Sequence, residues 1–173
     1  MQEILEILKY TIPSIIVFVT SYYILNTVIK NDQWKRKMEL NFENRKLLTP
    51  LKLQAYERIT LFLERISPEA ILPRIQSTTM NSKQLHYELL MTIRNEYDYN
   101  LSQQIYVSGE TWQVVKLAKE NMVKFINSVA DSVPGEVPAI ELSRRIFEVV
   151  IKVESSPTSA AIEYVRNEVR QLF

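Results

Sequence analysis

The chain has no cysteine among its 173 residues. That rules out disulfides, thiolate metal sites and a cysteine nucleophile, and it fits a cytoplasmic domain. Glycine occurs only twice, which argues against sheets built on tight hairpins and for helices. The sequence holds no P-loop, no GxGxxG and no Ser-His-Asp arrangement. His86 is the one histidine. A metal site would require companions, and Glu88 and Glu96 do not form a tight i, i+4 set with it, so His86 reads as structural or surface. Net charge is +1, leaving no global field to draw nucleic acid or anionic substrates. No repeat or low-complexity tract is present.

What the chain does have is a long uncharged run. Tyr10 to Ile29, YTIPSIIVFVTSYYILNTVI, spans twenty residues without a charged side chain. At about 1.5 Å per residue a helix of that length reaches roughly 30 Å, the thickness of a bilayer's hydrocarbon core. Its hydroxyl side chains are cheap in lipid because they bond back to the helix's own carbonyls. Asn26 lies near one end, and Pro13 sits in the first turn of the run, where a kink costs least. Tyr10 and Trp34 suit the two interfaces. A cleaved signal peptide would want a basic start and a small-x-small cleavage site, whereas Glu3 and Glu6 precede the run and no such site follows. A buried helix of a soluble protein is the remaining alternative.

The flanks set the expected orientation. Lys9 is the only Lys or Arg before the run, while Lys30, Lys35, Arg36, Lys37, Arg45 and Lys46 follow it. The positive-inside bias places the C-terminal side in the cytoplasm and the N-terminus outside, in a bacterial inner membrane. Lys30, Lys35, Arg36 and Lys37 are candidate contacts to anionic lipid headgroups. Asp32, Glu39 and Glu43 interrupt the cluster, so enforcing topology is the simpler role for these charges.

Residues 1–48 thus read as anchor and basic juxtamembrane helix, and residues 49–173 as one cytoplasmic domain of about 125 residues. Thr49-Pro50 carries a helix-start signature, followed by a stripe of Leu48, Ala55, Ile59, Phe62 and Ile66 widened by Leu51 and Leu63. Ser67-Pro68 opens a short piece limited by Pro73. Asn81 or Ser82 caps a third helix through Leu85, Leu89, Ile93 and Tyr97, running on to Ile105. Ser108 starts a fourth, with Trp112, Val115, Ala118, Met122, Phe125 and Val129 inward. Pro134-Gly135 breaks the chain. Pro138 opens a fifth helix on Leu142, Ile146, Val149, Val150 and Val153, and Ser156-Pro157 caps a sixth on Ala161, Val165, Val169 and Leu172. The expected fold is all-α: an N-terminal transmembrane helix followed by a compact bundle of about five helices.

The densest polar stretch is EYDYNLSQQIYVSGETW, Glu96 to Trp112. On a helix Asn100, Gln103 and Gln104 share one face. With Tyr106 and Trp112 they are candidate contacts to a protein partner, the alternative being an internal amide network at a helix junction. The exposed face of the Thr49–Ile66 helix, with Lys52, Gln54, Glu57, Arg58, Glu64 and Arg65 off the apolar stripe, is the other candidate contact surface. A small-ligand or enzymatic site around Glu96–Gln104 is the second hypothesis. Neither a catalytic residue nor a cofactor or metal site is expected.

At LKLQAYERITLFLERISP (51–68) and NLSQQIYVS (100–108) with Trp112, the chain resembles a family of uncharacterised single-pass membrane proteins of Bacteroidota, a domain of unknown function. The resemblance implies an anchor followed by a helical domain in a bacterial envelope. It implies no catalytic residue, cofactor or partner. Together these features describe a membrane-tethered, non-catalytic helical module that meets another membrane or cytoplasmic protein and no nucleic acid.

Overall fold

The computed structural model describes the backbone of residues 2–153 and 156–172, and the side chains of residues 11–152 and 156–172. The order of elements is α1 (Gln2–Arg65), α2 (Pro68–Ile75), α3 (Ser82–Tyr99), a 3-10 turn (Leu101–Ile105), α4 (Gly109–Ala130), α5 (Ala139–Val153) and α6 (Ser159–Leu172). The fold is all-α, as the periodicity requires, with no strand among the described residues. Two compact units divide it, Met1–Thr49 and Pro50–Phe173.

The first unit is helical. α1 is long and apolar enough to cross a membrane: its best window has a mean hydropathy of 1.7, and none of that window is buried. A core helix of a soluble domain would be mostly covered. Ser14 donates to the Thr11 carbonyl at 2.8 Å, Thr20 to that of Ile16 at 2.7 Å and Thr27 to that of Tyr23 at 2.8 Å. These hydroxyls are satisfied inside the helix, so lipid need not solvate them. The side chains of Glu3, Glu6, Lys9 and Tyr10 lie outside the described residues.

Thr49-Pro50 does not start a helix; α1 passes through it. Proline removes one N–H and leaves the carbonyl four residues back without its partner. Pro50 is exposed, so water can take that carbonyl and the helix survives. The stripe is shorter than the periodicity implies: Ala55, Ile59, Phe62, Leu63 and Ile66 are buried, but Leu48 and Leu51 are exposed.

In the second unit the Pro50–Arg65 part of α1 and α2 to α6 enclose one core. Ile59, Phe62, Leu85, Leu89, Ile93, Met122, Ile126, Leu142 and Ile146 are each at most 1% exposed. Burying each such side chain stabilises the fold by about 1.5–3 kcal/mol. α3 packs on both α4 and α5, and α6 on α4. On α4 the inward residue is Ile126, with Phe125 half-buried beside it. Val149 and Val150 are half-buried, Leu172 is exposed, and the side chain of Val153 lies outside the described residues. Pro73 does not limit α2, which continues to Ile75. The sixth helix begins at Ser159 rather than at Ser156-Pro157, which form the turn before it.

Caps fix the junctions. The Asn81 side chain accepts from the Gln84 backbone N–H at 2.9 Å, and the Gln84 side-chain Oε1 accepts from the Asn81 backbone N–H at 3.0 Å. The Pro134-Gly135 turn completes this end of α3: the Ser82 N–H donates to Val137 at 2.8 Å and the Lys83 N–H to Gly135 at 3.0 Å. Replacing Asn81 with alanine is expected to lower stability by about 1 kcal/mol, measured by denaturant unfolding.

Candidate functional site

The Glu96–Trp112 stretch is not one helix. α3 ends at Tyr99, and Asn100 leaves helical geometry with φ −103° and ψ 4°. Its side-chain amide donates to the Glu96 carbonyl at 2.8 Å, and the residue is only 7% exposed. Leu101–Ile105 then form a 3-10 turn. With three residues per turn, Asn100 and Gln103 eclipse one another while Gln104 points about 120° away. The single amide face expected of an α-helix therefore does not form. Gln103 is half-buried, with its amide donating to the Ser102 hydroxyl at 3.3 Å; Tyr106 is half-buried and Gln104 exposed.

Trp112 is a core residue rather than a contact surface. It is 8% exposed and stacks on Tyr97 at 5.6 Å, which in turn meets Phe62 at 5.9 Å. The Lys119 ammonium lies 4.5 Å from the Tyr97 ring centre. This aromatic group ties α1, α3 and α4 together. Asn100 and Trp112 thus serve the fold, and Gln103, Gln104 and Tyr106 are what remains of the proposed contact set.

Beside them lies an open groove of about 670 Å³ between α1 and α3, lined by Arg58, Leu61, Arg65, Glu96, Tyr99 and Asn100 among others. Neither Gln103 nor Gln104 lines it. Two guanidiniums share Glu96: Arg65 donates from Nε to its Oε1 at 2.8 Å, and Arg74 from Nη2 at 3.0 Å. Arg74 also donates to the Arg65 carbonyl at 3.3 Å. The Glu96 carboxylate holds Arg65 above its usual pKa. Arg58 has no ion pair among the described residues. Leu61 is 56% exposed and Tyr99 78%.

On the other side of Leu61, α1 meets α6. The Tyr56 hydroxyl donates to Glu168 Oε1 at 2.8 Å. Burial first, and then Glu168, push the phenol up to about 12. The second Glu168 oxygen and the Thr111 hydroxyl are buried without a partner among the described residues. An unfolded tyrosine ionises near pH 10, so the raised phenol adds stability in full below pH 10. That contribution, about 2–3 kcal/mol, is lost as pH climbs from 10 to 12. Tyr56→Phe is expected to flatten the alkaline loss, and at neutral pH to cost about 1–3 kcal/mol by stranding the carboxylate. Unfolding free energies of both forms between pH 7 and 12 check this. The surface above is an apolar groove of about 480 Å³.

The remaining candidates are quickly placed. Lys30, Lys35, Arg36 and Lys37 are exposed, and Arg36 pairs with Asp32 at 3.0 Å. His86 Nε2 sits 2.8 Å from Asn127 Oδ1 in a helix-to-helix bond. Among the described residues no cluster of acidic and histidine side chains could hold a metal. A further open recess of about 790 Å³ is lined by Glu64, Ser67, Val150, Ser156 and Arg166 among others. Sequence reasoning placed Arg58 on the exposed face of the Thr49–Ile66 helix, a candidate contact surface, but missed Leu53 and Leu61 there. Their signal was available: both leucines fall off the inward stripe, on α1's charged face.

A family model matches residues 2–172 of the chain. The chain belongs to DUF7935, a family of unknown function. No curated protein and no solved structure matches it. The match takes in both α1 and the bundle, so both grooves of this DUF7935 member lie within the residues it covers. Membership brings no assigned chemistry to them.

Proposed function

We propose that this protein is a membrane-tethered, non-catalytic interaction module. The uncharged run of α1 anchors it once in the inner membrane of a bacterium, in keeping with the Bacteroidota setting that the sequence resemblance implies. Its N-terminus lies outside and its helical domain in the cytoplasm, the sense favoured by the excess of Lys and Arg after the run. Lys30, Lys35 and Lys37 face anionic headgroups, each worth about 1 kcal/mol near the surface. Another membrane or cytoplasmic protein docks on the outward face of the Pro50–Arg65 part of α1. Anchoring raises the effective concentration of the two partners in the plane of the membrane.

One observation carries the contact surface: Leu61, between two grooves, is 56% exposed although its neighbours Phe62 and Leu63 are fully buried. With Tyr99 and Arg58 beside it, the surface has the aliphatic, aromatic and arginine side chains that anchor protein interfaces. A photo-crosslinker at Tyr99 in living cells is expected to capture one recurrent protein. Adducts no more frequent than those from an exposed control position would contradict this.

The second reading, a small-ligand site near Glu96, has the groove's volume in its favour, since ligand pockets run about 300–1,000 Å³. Its polar groups count against it. Glu96 is occupied by two arginines and the Asn100 amide by a carbonyl, so little is left to orient a ligand. Stabilisation of the protein by a metabolite library, lost in Glu96→Ala, would favour the ligand reading.

A further inference from the structure

The groove between α1 and α6 carries opposite charge on its two walls. Tyr56 reaches Glu168, while Glu64 and Ile162 border one recess, so the two helices run antiparallel. Glu57 and Glu64 stand along the α1 wall, and Arg166 and Arg170 along the α6 wall. Glu57 and Glu64 are two turns apart and Arg166 and Arg170 one turn apart, so each pair keeps to one side of its helix. All four are exposed, and none forms an ion pair among the described residues. Between the walls the lining is apolar, with Leu53 40% exposed and Leu61 56% exposed from α1, and Ile162 and Val169 half-buried from α6.

We infer that this groove takes a second copy of the same chain, related by a twofold axis parallel to the two helices. An isologous contact must be complementary to itself. Rotation about that axis lays the acidic α1 wall of one copy on the basic α6 wall of the other, and the reverse, while the apolar linings meet at the centre. A twofold axis crossing the helices would instead set acid against acid, so the charges select one arrangement. Any partner complementary to both walls must carry both signs in the matching order, and a copy of this chain rotated about that axis already does. The rim charges fix orientation and partner choice, and the buried leucines supply the contact area. The inference rests on the reading of α1's outward face as a contact surface and names its partner on the α6 side.

The test uses two differently tagged copies of the full chain, co-expressed and purified from membranes in mild detergent. Wild-type copies are expected to copurify. Glu57→Arg with Glu64→Arg makes both walls basic, and Arg166→Glu with Arg170→Glu makes both acidic. Each double variant expressed with itself is expected to lose copurification about tenfold or more. Mixing the two double variants is expected to restore it, which also shows that both are folded. Absent copurification of the wild type, pairing that survives either reversal, or no recovery on mixing would each overturn the inference. Loss of self-pairing with Tyr99 adducts intact would defeat the inference alone, and loss of both would defeat the functional reading as well.

Discussion

Arginine at both Ile16 and Val19 is expected to move the protein from the membrane pellet to the soluble fraction. Each arginine near the middle of a spanning helix costs about 2.5–3.5 kcal/mol on insertion scales, and the lost isoleucine and valine had favoured insertion. The change therefore totals more than about 5 kcal/mol, enough to reverse partitioning by several thousandfold. Arginine is a good helix former, and every side chain of the window is exposed, so neither helix content nor the bundle should suffer. Carbonate extraction followed by immunoblotting reads the partition, and circular dichroism of the extracted protein checks that the bundle persists. Unchanged pelleting of the double variant would remove the anchor from the account.

The second large effect is expected from Trp112→Ala. The indole is 8% exposed and stacks on Tyr97, which packs against Phe62. Truncating a buried tryptophan typically costs about 3–5 kcal/mol, through lost transfer energy and the cavity left behind. A domain of this size has roughly 5–15 kcal/mol in all. The melting temperature should fall by about 10–20 °C, followed by thermal unfolding of the full chain in mild detergent. Gln104→Ala, on the exposed side of the same stretch, should shift it by less than about 2 °C. Equal effects at the two positions would mean that Trp112 does not hold the three helices together.

The contrast between those two residues shows what the sequence made legible. Regular periodicity with a recognisable cap was read correctly: Asn81 and Ser108 accept the hydrogen bonds that start α3 and α4, and Leu85, Leu89 and Ile93 are buried as their spacing demands. Thr49-Pro50 misled because proline is compatible with a helix interior wherever solvent can take the unpaired carbonyl, and nothing local distinguishes that case from a helix start. The Glu96–Trp112 stretch misled for a different reason. Its residues look polar and available, but Asn100 turns its amide onto the backbone four residues back and ends α3. That bond decides the 3-10 turn, and the turn separates Gln104 from Gln103. Leu53 and Leu61 were visible as leucines off the inward stripe, but only packing shows that nothing within the domain covers them. The sharing of Glu96 by Arg65 and Arg74 brings together residues 31 and 22 positions apart, a pairing that no local pattern encodes.

Membrane tethering and protein contact meet in one measurement. A photo-crosslinking amino acid at Leu61 is compared with one at Leu117, which is equally exposed at 56% on α4. Both are placed in the native chain and in the chain carrying arginine at Ile16 and Val19, and adducts are counted in intact cells. Discrete protein adducts are expected from Leu61 in the native chain, few from Leu117, and a severalfold loss from Leu61 once the anchor is disrupted. Adducts from Leu61 that match those from Leu117, or that persist undiminished without the anchor, would contradict the account.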